Sequence, residues 1–315
     1  MPIEKQHRIP EVFIHPKSLG DLTPNALKQQ VDERMRAVGL GNIVEKGEFS
    51  IVEFKLEDGR VVKIPVYGVD TLDFSRMGFR HAHKDITPTS RQFVLIGSGA
   101  VVKPRHQHEG ENELIKEYVE TQEMFEADYP VVPQVSLIRS KKSGEYFAVE
   151  PKGCPLKDKI DEAGRLFVEK GDASGLDDCM RTIGRLINKL RSLDIHWFFG
   201  DIDAVILFNS ERGIDGLITD NKYLYDGFDS EPGWTRRIIE YASKRALPTP
   251  LIRDIIPKIR TENPNARDID VDIQSRREYG RQYSENEQRR KALQERLKGV
   301  VENESGIKIE LQKEE

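Results

Sequence analysis

The feature that most constrains this chain is a change of hydrophobic period at Gly153. Before it, apolar residues fall mostly in short strand-like runs separated by turn signals; after it they recur every three to four residues, as on one face of a helix. FSIVEFKL and VVKIPV flank EDGR, with Asp58-Gly59 as a hairpin turn. RQFVLI and AVVKPR flank Gly97-Ser98-Gly99, and YPVVPQVSLI and EYFAVE flank a turn over Lys141–Gly144. Two helices interrupt this half. Thr23-Pro24 caps the first, NALKQQVDERMRAV, and Leu114, Tyr118 and Phe125 line one face of the second, Glu111–Ala127. Beyond Gly153, CMRTIGRLINKLRSL turns Ile183, Leu186, Ile187 and Leu190 inward, and WTRRIIEYASKRAL is a further helix. A short hairpin, ILFN and GLIT, stands between them. The order predicts an α+β fold with two unequal lobes, a small antiparallel sheet with one helix followed by a mainly helical lobe.

Composition removes several classes of function. Of 315 residues, 37% are hydrophobic and 33% charged, enough for a real core under a heavily solvated surface. A net charge of −5 carries no global nucleic-acid footprint. No apolar run reaches the roughly 20 residues that span a bilayer, so no membrane partner is expected. Two cysteines, Cys154 and Cys179, make no disulfide framework, and MPIEKQHRIPEVF has no apolar signal region. The expected location is the cytoplasm, or a host cytosol if the chain is exported by a route without such a signal.

Four segments carry a resemblance. Ala100-Val-Val-Lys103 ends a strand, and a helix bearing Glu113, Glu117 and Glu120 follows. Tyr146-Phe-Ala-Val-Glu150 then runs into Pro-Lys-Gly153. Finally Gly200-Asp201-Ile-Asp203, Ile206-Leu-Phe and Leu217-Ile-Thr-Asp220 place two aspartates 19 residues apart around a hairpin. In this order they resemble the protein-kinase-like superfamily, which includes the aminoglycoside-phosphotransferase-like and phage kinases, over a little more than half the chain. The resemblance implies ATP and Mg²⁺ as cofactors, and phosphoryl transfer to a hydroxyl of an unidentified protein or small-molecule acceptor. It implies Lys103 against the phosphates, with Glu120 (or next Glu117) as its helical partner, and Asp201 as the base. Asp220 would be the metal ligand, Val149 the gatekeeper, and the backbone from Glu150 to Lys152 the hinge on the adenine edge. Such chemistry is almost all positioning and electrostatics, so it asks for a cation on the phosphates and carboxylates on the acceptor and the metal.

The sequence also departs from the family. Ile206 stands where the family places a metal-binding Asn five residues after the base, and Asn209 would reach that place only by a register shift. No G-x-G-x-x-G precedes Lys103, although FSRMGFRHAHKD has the look of an eroded loop. These losses imply an alternative, a catalytically impaired pseudokinase acting as a binding or regulatory module. A rival alignment makes Lys63 the phosphate lysine. His81-Ala-His83 and His106-Gln-His108, with Asp85, Glu109 and Glu111 close by, suggest a further alternative, a non-kinase interaction protein with a histidine metal site, although no Cys or third His completes a strong zinc spacing. The expected division is 1–75 as an extension with a helix and a hairpin, 76–152 as the small lobe, and 153–262 as the helical lobe. Residues 263–315 form a charged tail, either an exposed helix or disordered.

Overall fold

The computed structural model describes residues 23–70, 72–81, 95–97, 99–104, 111–197, 202–210, 213–219, 224–228 and 233–311. The elements run α1 (Pro24–Ala37), α2 (Gly41–Lys46), β1 (Glu48–Lys55), β2 (Val61–Val69), β3 (Arg80–His81), β4 (Leu95–Ile96) and β5 (Ala100–Pro104). They continue α3 (Glu111–Glu126), β6 (Ser136–Ser140), β7 (Tyr146–Pro151), β8 (Cys154–Pro155), α4 (Leu156–Lys170), α5 (Ser174–Ser192) and β9 (Ile195–Trp197). After a short 3-10 turn come β10 (Val205–Ser210), β11 (Gly213–Ile218), β12 (Leu224–Asp226), α6 (Gly233–Ala246), α7 (Ile252–Glu262) and α8 (Asp268–Ser305). The fold is α+β, with a sheet in the first part of the chain and helices dominating the last. The chain divides into two compact units, one of residues up to Cys154 with Ala204–Leu224, the other of Pro155–Asp203 with Tyr225 onward. The hairpin β10–β11 therefore belongs with the sheet, not with the helices that flank it in sequence.

The first unit is built on seven strands in the order β1-β2-β6-β7-β5-β4-β3. The sequence predicts a small antiparallel sheet; the observed sheet is mixed, because β2 pairs with β6 in parallel, Val66 opposite Leu137. The extension of residues 1–75 thus adds two strands to the sheet. It also covers one face, since Leu27, Val31 and Met35 of α1 and Ile43 of α2 pack with Tyr67, Val102, Ile138 and Val149. Thr23 caps α1, its hydroxyl accepting from the Ala26 N–H, and Pro24 fits the first turn because no helical partner exists there for an N–H. Leu114, Ile115, Tyr118 and Val119 of α3 form a second cluster with Leu137, Tyr146 and Ala148. The turn expected at Gly97-Ser98-Gly99 is made at its described ends, the Gly97 N–H donating to the Ala100 carbonyl across β4–β5.

In the second unit α5 is the central helix. Its buried face includes the four residues expected from periodicity, Ile183, Leu186, Ile187 and Leu190. The charged tail is part of this core. Leu293, Leu297 and Val301 of α8, spaced by four, are buried, and Gly184 of α5 lets α8 approach so closely that an added Cβ would stand 3.1 Å from the Val301 carbonyl. Asp177 accepts a two-pronged ion pair from Arg296, and the buried Arg290 donates to the Leu247 carbonyl at 2.7 Å. The density of charges gives the segment the look of a solvated helix, yet Leu293, Leu297 and Val301 fall on one stripe and bury it.

Candidate functional site around Lys103

β5 and β7 are antiparallel neighbours, with Lys103 opposite Ala148 and Val101 opposite Glu150. Directly opposed residues share a face and successive ones alternate, so Lys103 and Glu150 are diagonal neighbours on one face. There Lys103 Nζ donates to Glu150 Oε1 at 2.7 Å. The Glu150 side chain is only 4% exposed, and the same Oε1 accepts from Gln134 Nε2 at 2.8 Å. Burial pushes the Glu150 carboxyl above its ordinary range, and the Lys103 ammonium pulls it back.

Two further groups face the ammonium. Glu117 of α3 lies 3.8 Å away, and the Thr219 carbonyl, just beyond β11, accepts at 3.5 Å. Thr219 is held there by its own N–H, which donates to the Ala204 carbonyl, and by Ile218, whose backbone pairs with Pro130 and Val132. Asp220 is the next residue in sequence and, like Asp201, lies outside the described residues. The described part of the site is thus one cation among two carboxylates and a carbonyl, with strand β5, helix α3, strand β7 and the end of the β10–β11 hairpin each supplying one group.

The expected site residues divide accordingly. Glu120 does not reach Lys103: it stands 4.0 Å from Lys116, half-exposed, with its carboxyl raised chiefly by burial. Glu117, three residues earlier, sits about 60° round the helix and about 4.5 Å along it, which is the difference between facing Lys116 and facing Lys103. Val149 is fully buried on the opposite face, against α1 and α2, so its side chain does not border Lys103. The Lys152 N–H is taken by the Gly99 carbonyl and Pro151 has none, while alternation turns the Glu150 amide toward β5 as well. The segment 150–152 therefore offers no amide donor to an outside base, because the pairing with β5 continues through Lys152. Lys63 pairs across the β1–β2 hairpin with Glu53 at 3.3 Å, both well exposed, and meets no helical acid.

Ile206 has a packing partner. A Cβ added to Gly153 would come 2.2 Å from Ile206 Cγ2 and 2.7 Å from the Leu207 carbonyl oxygen, so the glycine is what lets the chain after β7 lie on β10. The β10–β11 register is regular, Ile206 opposite Leu217 and Asn209 opposite Ile214, with no shift bringing Asn209 to the place of Ile206. Of the histidine pairs only the backbone of His81, in β3, is described; His83, His106 and His108 lie outside the described residues. Among the described residues no three His, Cys, Asp or Glu side chains group as metal ligands, and no helix is long and apolar enough to cross a membrane.

Sequence reasoning missed Glu150 as a side chain, having taken only its backbone. The signal was present: a carboxylate ending the apolar run Tyr146–Val149 must be paired if it is buried, and the nearest strand lysine is Lys103. Gln134 left no comparable signal, since an amide in a loop is ordinarily solvated. No protein-family model and no curated protein matches the chain.

Proposed function

We propose that this chain is a kinase-like, ATP-binding protein in which Lys103 is the lysine that holds the phosphates. The observation that carries the reading is the meeting of Lys103 with Glu117 and with the Thr219 carbonyl, because it draws three of the four resembling segments together in one unit. A strand lysine, an acid from the helix after it and the residue before a carboxylate thus meet at one point. Their convergence supports a cation aimed at phosphate; in this reading Asp220 is the ligand for Mg²⁺ and Asp201 the base for an acceptor hydroxyl. Strand alternation turns the Pro151 C=O away from β5, and we assign the adenine edge to the backbone around this carbonyl. When bound, ATP with its metal would supply the transferable phosphoryl group; the chain itself orients it and takes up the acceptor proton.

A specific observation favours the catalytically impaired form of this protein. Ile206 is committed to packing on Gly153 and offers no oxygen to a metal. Loss of one electrostatic partner costs on the order of 10²–10³ in rate, so we expect ATP binding with little or no turnover, the protein acting as a binding or regulatory module. The test is calorimetric titration of the full chain with ATP, with and without Mg²⁺, followed by a turnover assay. The reading predicts binding whose Mg²⁺ dependence is abolished by Asp220→Asn. No binding at millimolar ATP would sink it, and robust turnover that survives loss of Asp201 would show that the base is wrong.

A further inference from the structure

We propose that Glu150 of β7, not the acid on α3, is the positioning residue for Lys103, so that the lysine head group is held by the sheet rather than by α3. The role assigned to Lys103 rests on the phosphate reading above; the anchoring of Lys103 does not.

Three observations carry the proposal. The first is distance and exposure together: Glu150 is 2.7 Å from Nζ and 4% exposed, Glu117 3.8 Å away and 38% exposed. Coulomb attraction grows as the effective dielectric falls, so the closer, drier pair dominates. The second is rigidity. Glu150 and Lys103 sit on paired strands whose register runs from Ala100–Pro151 to Pro104–Phe147, whereas Glu117 is carried by a separate helix. The third is that Glu150 is itself fixed: buried Gln134, 1% exposed, donates to the very oxygen that receives Lys103. Its segment is tied to β11 by the backbone bonds at Ile218. An anchor with its own support orients what it binds, much as an outer hydrogen bond fixes a metal ligand. Where only a helix supplies the acid, moving the helix releases the lysine and becomes a switch. With the acid on the neighbouring strand, the Lys103–Glu150 pair does not depend on where α3 carries Glu117.

The experiment measures the Lys103 amine directly in the full chain. Acetylation by an N-hydroxysuccinimide ester modifies the unprotonated amine, and peptide mass spectrometry gives the rate at Lys103 as a function of pH. The groups facing the ammonium among the described residues are Glu150, Glu117 and the Thr219 carbonyl. Glu150→Gln should lower the pH midpoint of Lys103 labelling by about one unit and speed labelling at pH 8 by about tenfold. Glu117→Gln should change the rate by less than about threefold. Glu150→Asp should restore part of the wild-type midpoint, and Gln134→Leu, which keeps the charge but removes its support, should fall between and serves if Glu150→Gln does not fold. A larger effect of Glu117→Gln, or none of Glu150→Gln, overturns the proposal. ATP titration of the same proteins separates the two readings. Weaker binding in Glu150→Gln than in Glu117→Gln supports both, while the expected labelling without ATP binding by any protein upholds the anchor and refutes only the phosphate role.

Discussion

Removing the Lys103 ammonium should damage the fold before it says anything about nucleotides. Lys103→Met leaves the Glu150 carboxylate buried, with Gln134 as its one remaining short-range partner among the groups described here. Removing one member of a buried ion pair costs about 3–5 kcal/mol, a large share of the roughly 5–15 kcal/mol that holds a domain together. The loss has a pH signature. Burial already holds the Glu150 carboxyl above its ordinary value, and without Lys103 the only strong opposing charge is gone. Its folded pKa then lies above that of the unfolded chain. Well below about pH 4.3 the group is neutral in both states and no penalty remains. As pH rises the unfolded chain ionises first, and stability falls by up to about 1.4 kcal/mol per pH unit until the folded group ionises too. Both tryptophans, Trp197 and Trp234, belong to the helical unit, so the change is read in the sheet unit itself. Amide exchange of the β5 and β7 peptides reads it. Relative to wild type at the same pH, protection in Lys103→Met should fall roughly a hundred- to few-thousand-fold at pH 8, and by much less near pH 4.5. Lys103→Met/Glu150→Gln should recover most of the loss, because a neutral amide can stay buried beside Gln134. Protection in Lys103→Met within threefold of wild type at every pH would refute the reasoning.

Other perturbations have outcomes that follow from the packing. Gly153→Ala should destabilise the sheet unit by about 1–3 kcal/mol through overpacking, and Ile206→Ala should relieve part of that but not the approach to the Leu207 carbonyl; a double-mutant cycle from urea unfolding would read a coupling between them, and additive effects would contradict the contact. Leu297→Ala should cost the helical unit about 2–5 kcal/mol, measured by tryptophan fluorescence in urea, whereas an exposed tail would show almost no change. Asp177→Asn should weaken the attachment of α8 by less, since Arg296 is more than half exposed and such pairs contribute about 1 kcal/mol or below; a loss as large as that of Leu297→Ala would show that charge, not burial, holds the helix.

How far the sequence could be read depended on whether its signals were local. The hairpins, the cap at Thr23 and the inward face of α5 were legible because each is set by a few neighbouring residues. The parallel contact of β2 with β6 was not, since nothing in either strand states which partner it takes across some seventy residues. The same division runs through the site. Lys103 was legible as a strand-end lysine followed by an acidic helix. The choice between Glu117 and Glu120 turned on about 60° of helix rotation, below the resolution of a spacing argument. The role of Glu150 depended on a register that only the folded sheet fixes. Ile206 was noticed for the oxygen it lacks, and its partner, Gly153, was visible only as the point where the period changes.

The docking of α8 on α5 has a bearing on the order of events during synthesis. The helical unit draws its parts from both sides of the β10–β11 hairpin, and α5 is made more than a hundred residues before the Leu297–Val301 stripe that covers it. Until that stripe leaves the ribosome, the apolar side of α5 that receives it has no cover from it, and a chaperone that binds such faces has a window in which to act. A message truncated before residue 290 would release a chain with this window left open, and such a product should be cleared by proteases rather than accumulate beside the full-length protein.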